Sequence, residues 1–249
     1  MWGGSDETES IRTIQHAVVL GINLIDTEPV YGFGHSEELV GKALAEGGCR
    51  DKAVLATKVG LEWVDGKVYR NSTPARIRQE IEDSLLRLRT DRIDLYQVHW
   101  PDPLVPIEDT AKTLLELRRE GKILAIGVSN YSPEQMDTWR KIAPLHNAQP
   151  PYNIFEREIE ADVLPYALEH KLLVLSYGAI CRGLLSEKMQ HNRKFWWRRF
   201  ATYRSKVSAS PVFPVLESCG QNRSARSGES REEPSSNSPS VGFLTVEKL

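Results

Sequence analysis

The chain has 249 residues, an apolar fraction of 40% and a formal net charge of −2, a composition typical of a globular protein with room for one large α/β domain or two smaller ones. This charge balance gives no reason to expect nucleic acid or an anionic membrane as a partner, so we expect a small molecule. Three scattered cysteines without CxxC spacing indicate neither a disulfide framework nor a zinc site. With an acidic first segment unlike a signal peptide, they favour a cytoplasmic protein.

Apolar strands and amphipathic helices alternate along the sequence. Residues 6–20 predict a helix that stops at Gly21, residues 23–25 predict a buried strand, and Ser36 is the predicted cap of the next helix. The same unit then repeats. Further strands are predicted at 53–59, 93–98, 123–128, 147–149 and 172–176, and further helices at 74–88, 107–120, from 133, and at 156–171 with a bend near Pro165.

This alternation predicts right-handed crossovers onto a parallel sheet, either an open doubly wound sheet or a closed (β/α)8 TIM barrel. No strand leads into a G-x-G-x-x-G turn, which weakens the open-sheet alternative. Polar residues occupy the carboxyl ends of successive strands, and in a barrel those ends surround one mouth. We therefore predict a barrel with these residues at its mouth: Asp26, Lys58, His99, Asn130, Gln149 and Tyr177.

Four of the predicted mouth and loop residues suit proton transfer at a carbonyl oxygen. A phenol such as Tyr31 has a pKa of ~10, and an ammonium ~4 Å away favours its ionised form by roughly three pKa units. Lys58 is the candidate ammonium, Asp26 would keep it charged, and His99 would orient the carbonyl. The structural alternatives are a turn-capping Asp26, a loop-packing Tyr31, a surface Lys58 and a core His99.

None of these four residues is a source of hydride. The set therefore implies a bound nicotinamide, with Ser129, Asn130 and Gln149 placed to bond its carboxamide and Tyr177 to stack on a ring.

Six motifs together resemble the aldo-keto reductase superfamily, and in particular a bacterial general-stress and inositol-operon group. They are Asp26-Thr-Glu-Pro-Val-Tyr31-Gly, Thr57-Lys-Val, Val98-His-Trp-Pro, Gly127-Val-Ser-Asn, Gln149-Pro-Pro-Tyr-Asn and Tyr177-Gly-Ala-Ile-Cys-Arg-Gly-Leu-Leu. The resemblance implies a (β/α)8 barrel that binds NADPH, with Tyr31 as proton donor.

The resemblance also implies a role for each remaining site residue. Lys58 and Asp26 tune Tyr31, while His99 and Trp100 face the substrate. Nicotinamide contacts fall on Ser129, Asn130, Gln149 and Tyr177, and pyrophosphate contacts on the backbone of Gly178, Ala179 and Ile180. No metal is implied.

The sequence departs from the family pattern at both ends. The family has a hairpin and a first strand before the position of Trp2, and an eighth strand and a 2′-phosphate loop after the position of Ser186. We therefore expect a partial barrel at 1–188, without the first and eighth strands, and a non-homologous, disordered tail at 189–249. A frameshift or gene-model product would explain this tail better than a nucleic-acid-binding role for its basic, aromatic segment 193–204.

The resulting functional prediction is NADPH-dependent reduction of aldehydes or ketones to alcohols, impaired if the partial barrel does not fold. Two alternatives stay open: a non-catalytic, cofactor-binding regulatory subunit like the β subunits of potassium channels, and a non-functional fragment. The sequence indicates neither the substrate nor the oligomeric state.

Overall fold

The computed structural model describes residues 6–183, 185 and 242–244. Within them, strands and helices alternate as the sequence predicts. The helices are α1 (Glu7–Val19), α2 (His35–Glu46), α3 (Pro74–Leu88), α4 (Ile107–Arg119), α5 (Pro133–Arg140) and α6 (Val163–Glu169). The strands are β1 (Leu24–Asp26), β2 (Val54–Val59), β3 (Leu61–Val64), β4 (Lys67–Arg70), β5 (Ile93–Val98), β6 (Ile123–Ser129), β7 (Asn147–Gln149), β8 (Leu173–Val174) and β9 (Gly242–Leu244).

The described residues divide into two compact units. The first contains 6–149, 166–175 and 242–244, and the second contains 150–165, 176–183 and 185. Within the described part of the chain, no helix combines the length and the apolar character needed to cross a membrane.

Six parallel strands of the first unit form one sheet in the order β8-β7-β6-β5-β2-β1. Strand order follows chain order throughout, apart from the separate β3-β4 hairpin. A doubly wound sheet reverses its order at a switch point, whereas a (β/α)8 barrel does not. The topology therefore confirms the predicted incomplete (β/α)8 barrel.

Strand β9 lies within the predicted tail and pairs antiparallel with β1. Its direction distinguishes it from the strands of a (β/α)8 barrel, all of which are parallel. The free edge of β1 offers unpaired backbone N–H and C=O groups, and β9 covers them. The rest of the predicted tail, from 189 to 241 and from 245 to 249, lies outside the described residues.

Local capping chemistry accounts for the helix starts. The side chain of Asp6 accepts a hydrogen bond from the backbone of Glu9 ahead of α1, and Thr73 caps α3 with proline at the first helical position. Ser132 and Gln135 form a reciprocal capping box at the start of α5. These caps satisfy N–H groups that have no partner inside a helix, which confirms three predicted helix starts.

Two predicted helix boundaries are wrong. Helix α2 begins at His35, with Gly34 as N-cap at φ 98°, while the predicted cap Ser36 is buried with its hydroxyl 2.8 Å from that of Thr27. The predicted helix at 156–171 is confined to Val163–Glu169, preceded by a 3-10 turn at Glu158–Glu160. Pro165 therefore lies in the first turn, where its missing N–H costs no hydrogen bond, so it does not bend the helix.

The hairpin formed by β3 and β4 was not predicted. Its turn residues Asp65 and Gly66 have φ values of 50° and 73°. Positive φ at both central positions is the requirement of a type I′ turn, for which Asp-Gly is a preferred pair. The Asp65-Gly66 pair was therefore a sequence signal for a hairpin, although the predicted alternation of strands and helices did not include one.

A buried ionic network joins α2, α3 and β2. The carboxylate of Glu37 accepts hydrogen bonds from Thr57 (2.6 Å), Arg87 (2.6 Å) and Ser84 (3.3 Å). Arg87 also donates to Glu80 at 2.6 Å. Burial raises the pKa of Glu37, and the opposing field of Arg87 does not cancel that effect. This network fixes α3 against the outside of the sheet.

Candidate active site

The site lies at the carboxyl ends of the parallel strands in the first unit. Asp26 is the last residue of β1, Lys58 the next to last of β2, and Gln149 the last of β7. His99 directly follows β5, and Ser129 ends β6. Because the carboxyl ends of parallel strands lie along one edge of a sheet, sequence-distant residues meet there.

An ion pair between Lys58 and Asp26 forms the floor of the site. Lys58 Nζ lies 2.7 Å from Asp26 Oδ2 and donates to the carbonyl of Thr27 at 3.1 Å. Burial alone would lower the pKa of Lys58, but the charge of Asp26, together with Tyr31 and Glu28, overcomes it and raises that pKa to about 12. The ammonium therefore stays charged at neutral pH although its side chain is only 2% exposed.

Tyr31 lies over this ammonium. Lys58 Nζ is 5.6 Å from the centroid of the Tyr31 ring, which is partly buried. A turn holds the tyrosine, because its backbone N–H donates to the carbonyl of Glu28 at 3.1 Å. The structure thus brings the predicted proton donor next to the predicted ammonium.

Asp26 receives more support than the sequence indicated. Besides Lys58, the amides of Gln97 and Gln149 each donate to its carboxylate, both at 3.1 Å. Gln97 was missed by the sequence prediction. It stands two positions before His99, and side chains two apart in a strand project on the same side, so this spacing was the available signal.

His99 has a partner that was also missed. Its Nδ1 lies 2.5 Å from Glu28 Oε1, and Glu28 is 1% exposed. Glu28 follows Asp26 by two residues, a spacing that favours the same side of an extended chain. The aromatic ring of Trp100 lies beside His99 with 6.3 Å between centroids, and the guanidinium of Arg70 lies 5.2 Å above Trp100.

The three predicted carboxamide contacts form a connected cluster. Ser129 Oγ donates to the carbonyl of Gln149 at 2.8 Å, and the amide of Asn130 donates to Ser129 Oγ and to the carbonyl of His99, both at 3.0 Å. Asn130 holds a left-handed φ of 64°. A hydroxyl and two side-chain amides supply both donors and acceptors, the combination that a carboxamide needs, so these residues fit a nicotinamide.

The remaining predicted cofactor residues belong to the second unit. There, the N–H of Tyr177 donates to the carbonyl of Pro150 at 3.0 Å, and the amide of Asn153 donates to the carbonyl of Gly178 at 3.1 Å. Tyr177 and Ile180 are exposed at 37% and 60%, and Ala179 is also exposed. Their predicted roles at the cofactor stay predictions.

Parallel strands in chain order, with polar side chains at their carboxyl ends, are typical of α/β-barrel proteins. A family model described as the aldo/keto reductase family matches residues 1–211. That match extends past residue 188, the predicted end of the barrel segment. The chain belongs to the aldo/keto reductase family, as its motifs predicted.

Individual relatives support the same assignment. Aldo-keto reductase YhdN of Bacillus subtilis (strain 168) is 57% identical over 220 residues, which cover 84% of this chain and 66% of that protein. The NADH-specific methylglyoxal reductase of Escherichia coli (strain K12) is 36% identical over 220 residues, covering 80% and 67%. The glycerol dehydrogenase AKR11B4 from Gluconobacter oxydans superposes with a TM-score of 0.74 at 50% identity, covering 89% of this chain and 71% of that structure. The chain thus spans about two thirds of the length of the curated relatives.

Proposed function

We propose that this protein reduces aldehydes or ketones to alcohols, taking hydride from NADPH and a proton from Tyr31. The observation that carries the proposal is the buried Lys58–Asp26 ion pair beneath the Tyr31 ring. A buried ammonium is costly unless it is paired, and here it is paired beside a phenol. Such an arrangement stabilises the phenolate that remains after proton donation.

Each residue of the site then has a defined task. The ammonium of Lys58 stabilises negative charge on Tyr31, and Asp26 keeps Lys58 protonated. The amides of Gln97 and Gln149 fix the carboxylate of Asp26. The imidazole of His99 would orient the carbonyl oxygen by a hydrogen bond, which holds the substrate in a reactive position.

The cofactor would be held through its carboxamide by Ser129, Asn130 and Gln149. When bound, the nicotinamide supplies the hydride, which no side chain of the site can provide. Further contacts are assigned to Tyr177 and to the backbone of 178–180, and Trp100 would line the substrate side. The cytoplasmic prediction fits the two described cysteines, Cys49 and Cys181, both free.

The preference for NADPH over NADH rests on the family resemblance. The family's 2′-phosphate loop would follow the position of residue 186, where this sequence departs from the family pattern. One relative is named as NADH-specific, so both cofactors belong in the test. We expect NADPH to bind more tightly than NADH, and the opposite order would refute the cofactor assignment.

The decisive experiment measures oxidation of the cofactor with a panel of aldehydes. Tyr31→Phe should reduce kcat at least 100-fold, since it removes the donated proton, while quenching of NADPH fluorescence shows that the cofactor still binds. Tyr69→Phe is the matched control, because Tyr69 is an exposed tyrosine on the β3-β4 hairpin. Full activity of Tyr31→Phe would refute the proposal. Cofactor binding without turnover in the unmodified chain would favour the regulatory-subunit alternative, and an insoluble chain would favour the fragment.

A further inference from the structure

We propose that Glu28 is a positioning residue that shares one proton with His99 and thereby determines whether His99 can donate a hydrogen bond to the substrate oxygen. The hydrogen bond from His99 to a substrate oxygen rests on the function proposed above. The Glu28–His99 pair itself is a property of the described side chains and can be tested without any turnover.

The geometry singles out this carboxylate. Glu28 is 1% exposed, Oε1 lies 2.5 Å from His99 Nδ1, and Oε2 is buried without a hydrogen-bond partner among the described residues. A buried carboxylate with an unsatisfied oxygen is unfavourable unless a proton or a cation compensates it. The nearby ammonium of Lys58 bonds instead to Asp26 and to the carbonyl of Thr27. His99 is therefore the group that can supply the compensating proton.

Counting protons on the pair defines two states. With two ionisable protons, the pair is either imidazolium with carboxylate or imidazole with carboxylic acid. In both forms Nδ1 and Oε1 share one proton and Nε2 carries the other, so Nε2–H is a donor. When one proton leaves, the Nδ1–H tautomer bonded to the carboxylate leaves Nε2 as an acceptor. His99 can then no longer donate to a carbonyl oxygen.

The charged groups on the neighbouring strands β1 and β2 are already paired with each other. Asp26 contributes negative charge on the β1 side, the ionised form of Tyr31 would add more, and Lys58 of β2 contributes one compensating positive charge already bonded to Asp26. Loss of the proton on His99 Nε2 would therefore leave the pair with a net negative charge close to that of Asp26.

Groups on the other neighbouring elements do not offset this charge. After β5, the Asp102 carboxylate accepts from the backbone of Ser72 and Leu104. After β6, Asn130 bonds the His99 carbonyl with a neutral amide. On β4, the guanidinium of Arg70 lies over the ring of Trp100, the residue that follows His99. Among the described residues, none of these groups replaces His99 as the source of a proton for Glu28.

Glu28→Gln removes the shared proton but retains the shape of the side chain. The amide of glutamine would donate to Nδ1, which fixes the neutral Nε2–H tautomer and leaves no proton for the pair to lose. Glu38→Gln is the matched control, since the exposed Glu38 lies 3.7 Å from the ring of His35 in a comparable carboxylate–histidine pair at the surface.

The first experiment is ¹⁵N NMR of the histidine rings against pH in the full chain, with His99 assigned by the signal missing from His99→Gln. We expect His99 to titrate in concert with Glu28 in the unmodified protein, and to hold the Nε2–H tautomer in Glu28→Gln. Glu38→Gln should leave the His99 signals unchanged. A His99 titration that matches that of the partly exposed His35, or that is identical in Glu28→Gln, would overturn the inference. Because the unmodified protein suffices for the first comparison, a misfolded variant does not block the test.

The second experiment compares pH profiles of kcat and KM. At high pH, kcat/KM of the unmodified enzyme should fall more steeply than that of Glu28→Gln, because only the unmodified enzyme also loses the proton on His99 Nε2, whereas ionisation of Tyr31 affects both enzymes. An unchanged decline with normal turnover would overturn the inference. Absence of turnover together with a coupled Glu28–His99 titration would instead refute the proposed function and leave the proton-sharing pair supported.

Discussion

Lys58 Nζ and Asp26 Oδ2 lie 2.7 Å apart, yet the lysine side chain is 2% exposed and the aspartate 20%. The cation is therefore enclosed, while its partner retains access to the site. This asymmetry means that Lys58 depends on Asp26 for its charge, since water cannot replace the carboxylate. It also makes the pair measurable by its effect on stability.

The free energy of unfolding at high pH should depend on the charge of Lys58. Its pKa is raised from an ordinary 10.5 to about 12 in the folded protein, so the folded state binds the proton more tightly. The contribution is fully present below pH 10.5 and is lost as the pH rises towards 12. We expect a loss of about 2 kcal/mol in the free energy of unfolding over this window. Denaturant titrations at several pH values measure it, and Lys58→Met should lack this component.

Neutralising Asp26 alone should destabilise the protein more than neutralising an exposed aspartate. Asp26→Asn leaves the buried ammonium of Lys58 without its counter-charge, so we expect a loss of about 3–5 kcal/mol in the free energy of unfolding. Asp51→Asn is the control, because Asp51 is 87% exposed in its ion pair with Arg92; its expected effect is below about 1 kcal/mol. Urea denaturation measures both variants, and equal losses would show that Lys58 is not enclosed.

The location of the site could be predicted from the sequence because apolar runs reveal strands and the polar residue after each run reveals a strand end. Asp26, Lys58, His99 and Gln149 were found in this way. The partners of these residues could not be found so directly. Glu28 meets His99 across 71 positions of sequence, and a pairing at that separation depends on the register of β1 and β5 through β2, which no local pattern specifies.

The errors in the predicted fold have the same origin. Ser36 satisfies every local preference for an N-cap, but Gly34 takes the left-handed conformation that ends the preceding turn, and the Ser36 hydroxyl pairs with Thr27. A tertiary contact thus decides between two acceptable caps. Capping predictions succeeded at Thr73 and Ser132, where each cap bonds only to its own helix or to a residue just before it.

The buried network between α2 and α3 gives a pH-dependent prediction. Arg87→Met leaves the buried Glu37 without its cation, whereas Glu80 keeps an ion pair with Arg76. We therefore expect a loss of about 3–5 kcal/mol in the free energy of unfolding at neutral pH. The pKa of Glu37 is already raised by burial. A raised carboxyl pKa favours the folded state at low pH, and that advantage is lost as the pH rises from about 4.5 through the folded value.

The loss in Arg87→Met should therefore be smaller at pH 5 than at pH 8. Arg78→Met is the control, because Arg78 pairs with Glu116 and Glu120 at the surface. Its effect should be small and independent of pH across this range. Thermal unfolding at the two pH values separates the variants, and a larger loss at pH 5 would contradict the assigned role of the network.

The close approach of α2 to α3 depends on Gly41. A Cβ atom placed there would lie 2.7 Å from the carbonyl carbon and 2.8 Å from the Cα of Leu88, both backbone atoms that cannot move aside. In a free helix, alanine would be more favourable than glycine by about 1 kcal/mol. We expect the overlap to outweigh this preference, so Gly41→Ala should lower the free energy of unfolding by about 1–3 kcal/mol.

Gly48→Ala is a control that separates steric overlap from backbone strain, since Gly48 has φ 57° and no atom within 4 Å of the added Cβ. Gly48→Ala should cost about 1–2 kcal/mol from its left-handed backbone alone and leave the α2–α3 contact intact, as hydrogen exchange of the α3 amides would report. Stabilisation by Gly41→Ala would show that helix propensity prevails and that the two helices can separate without loss.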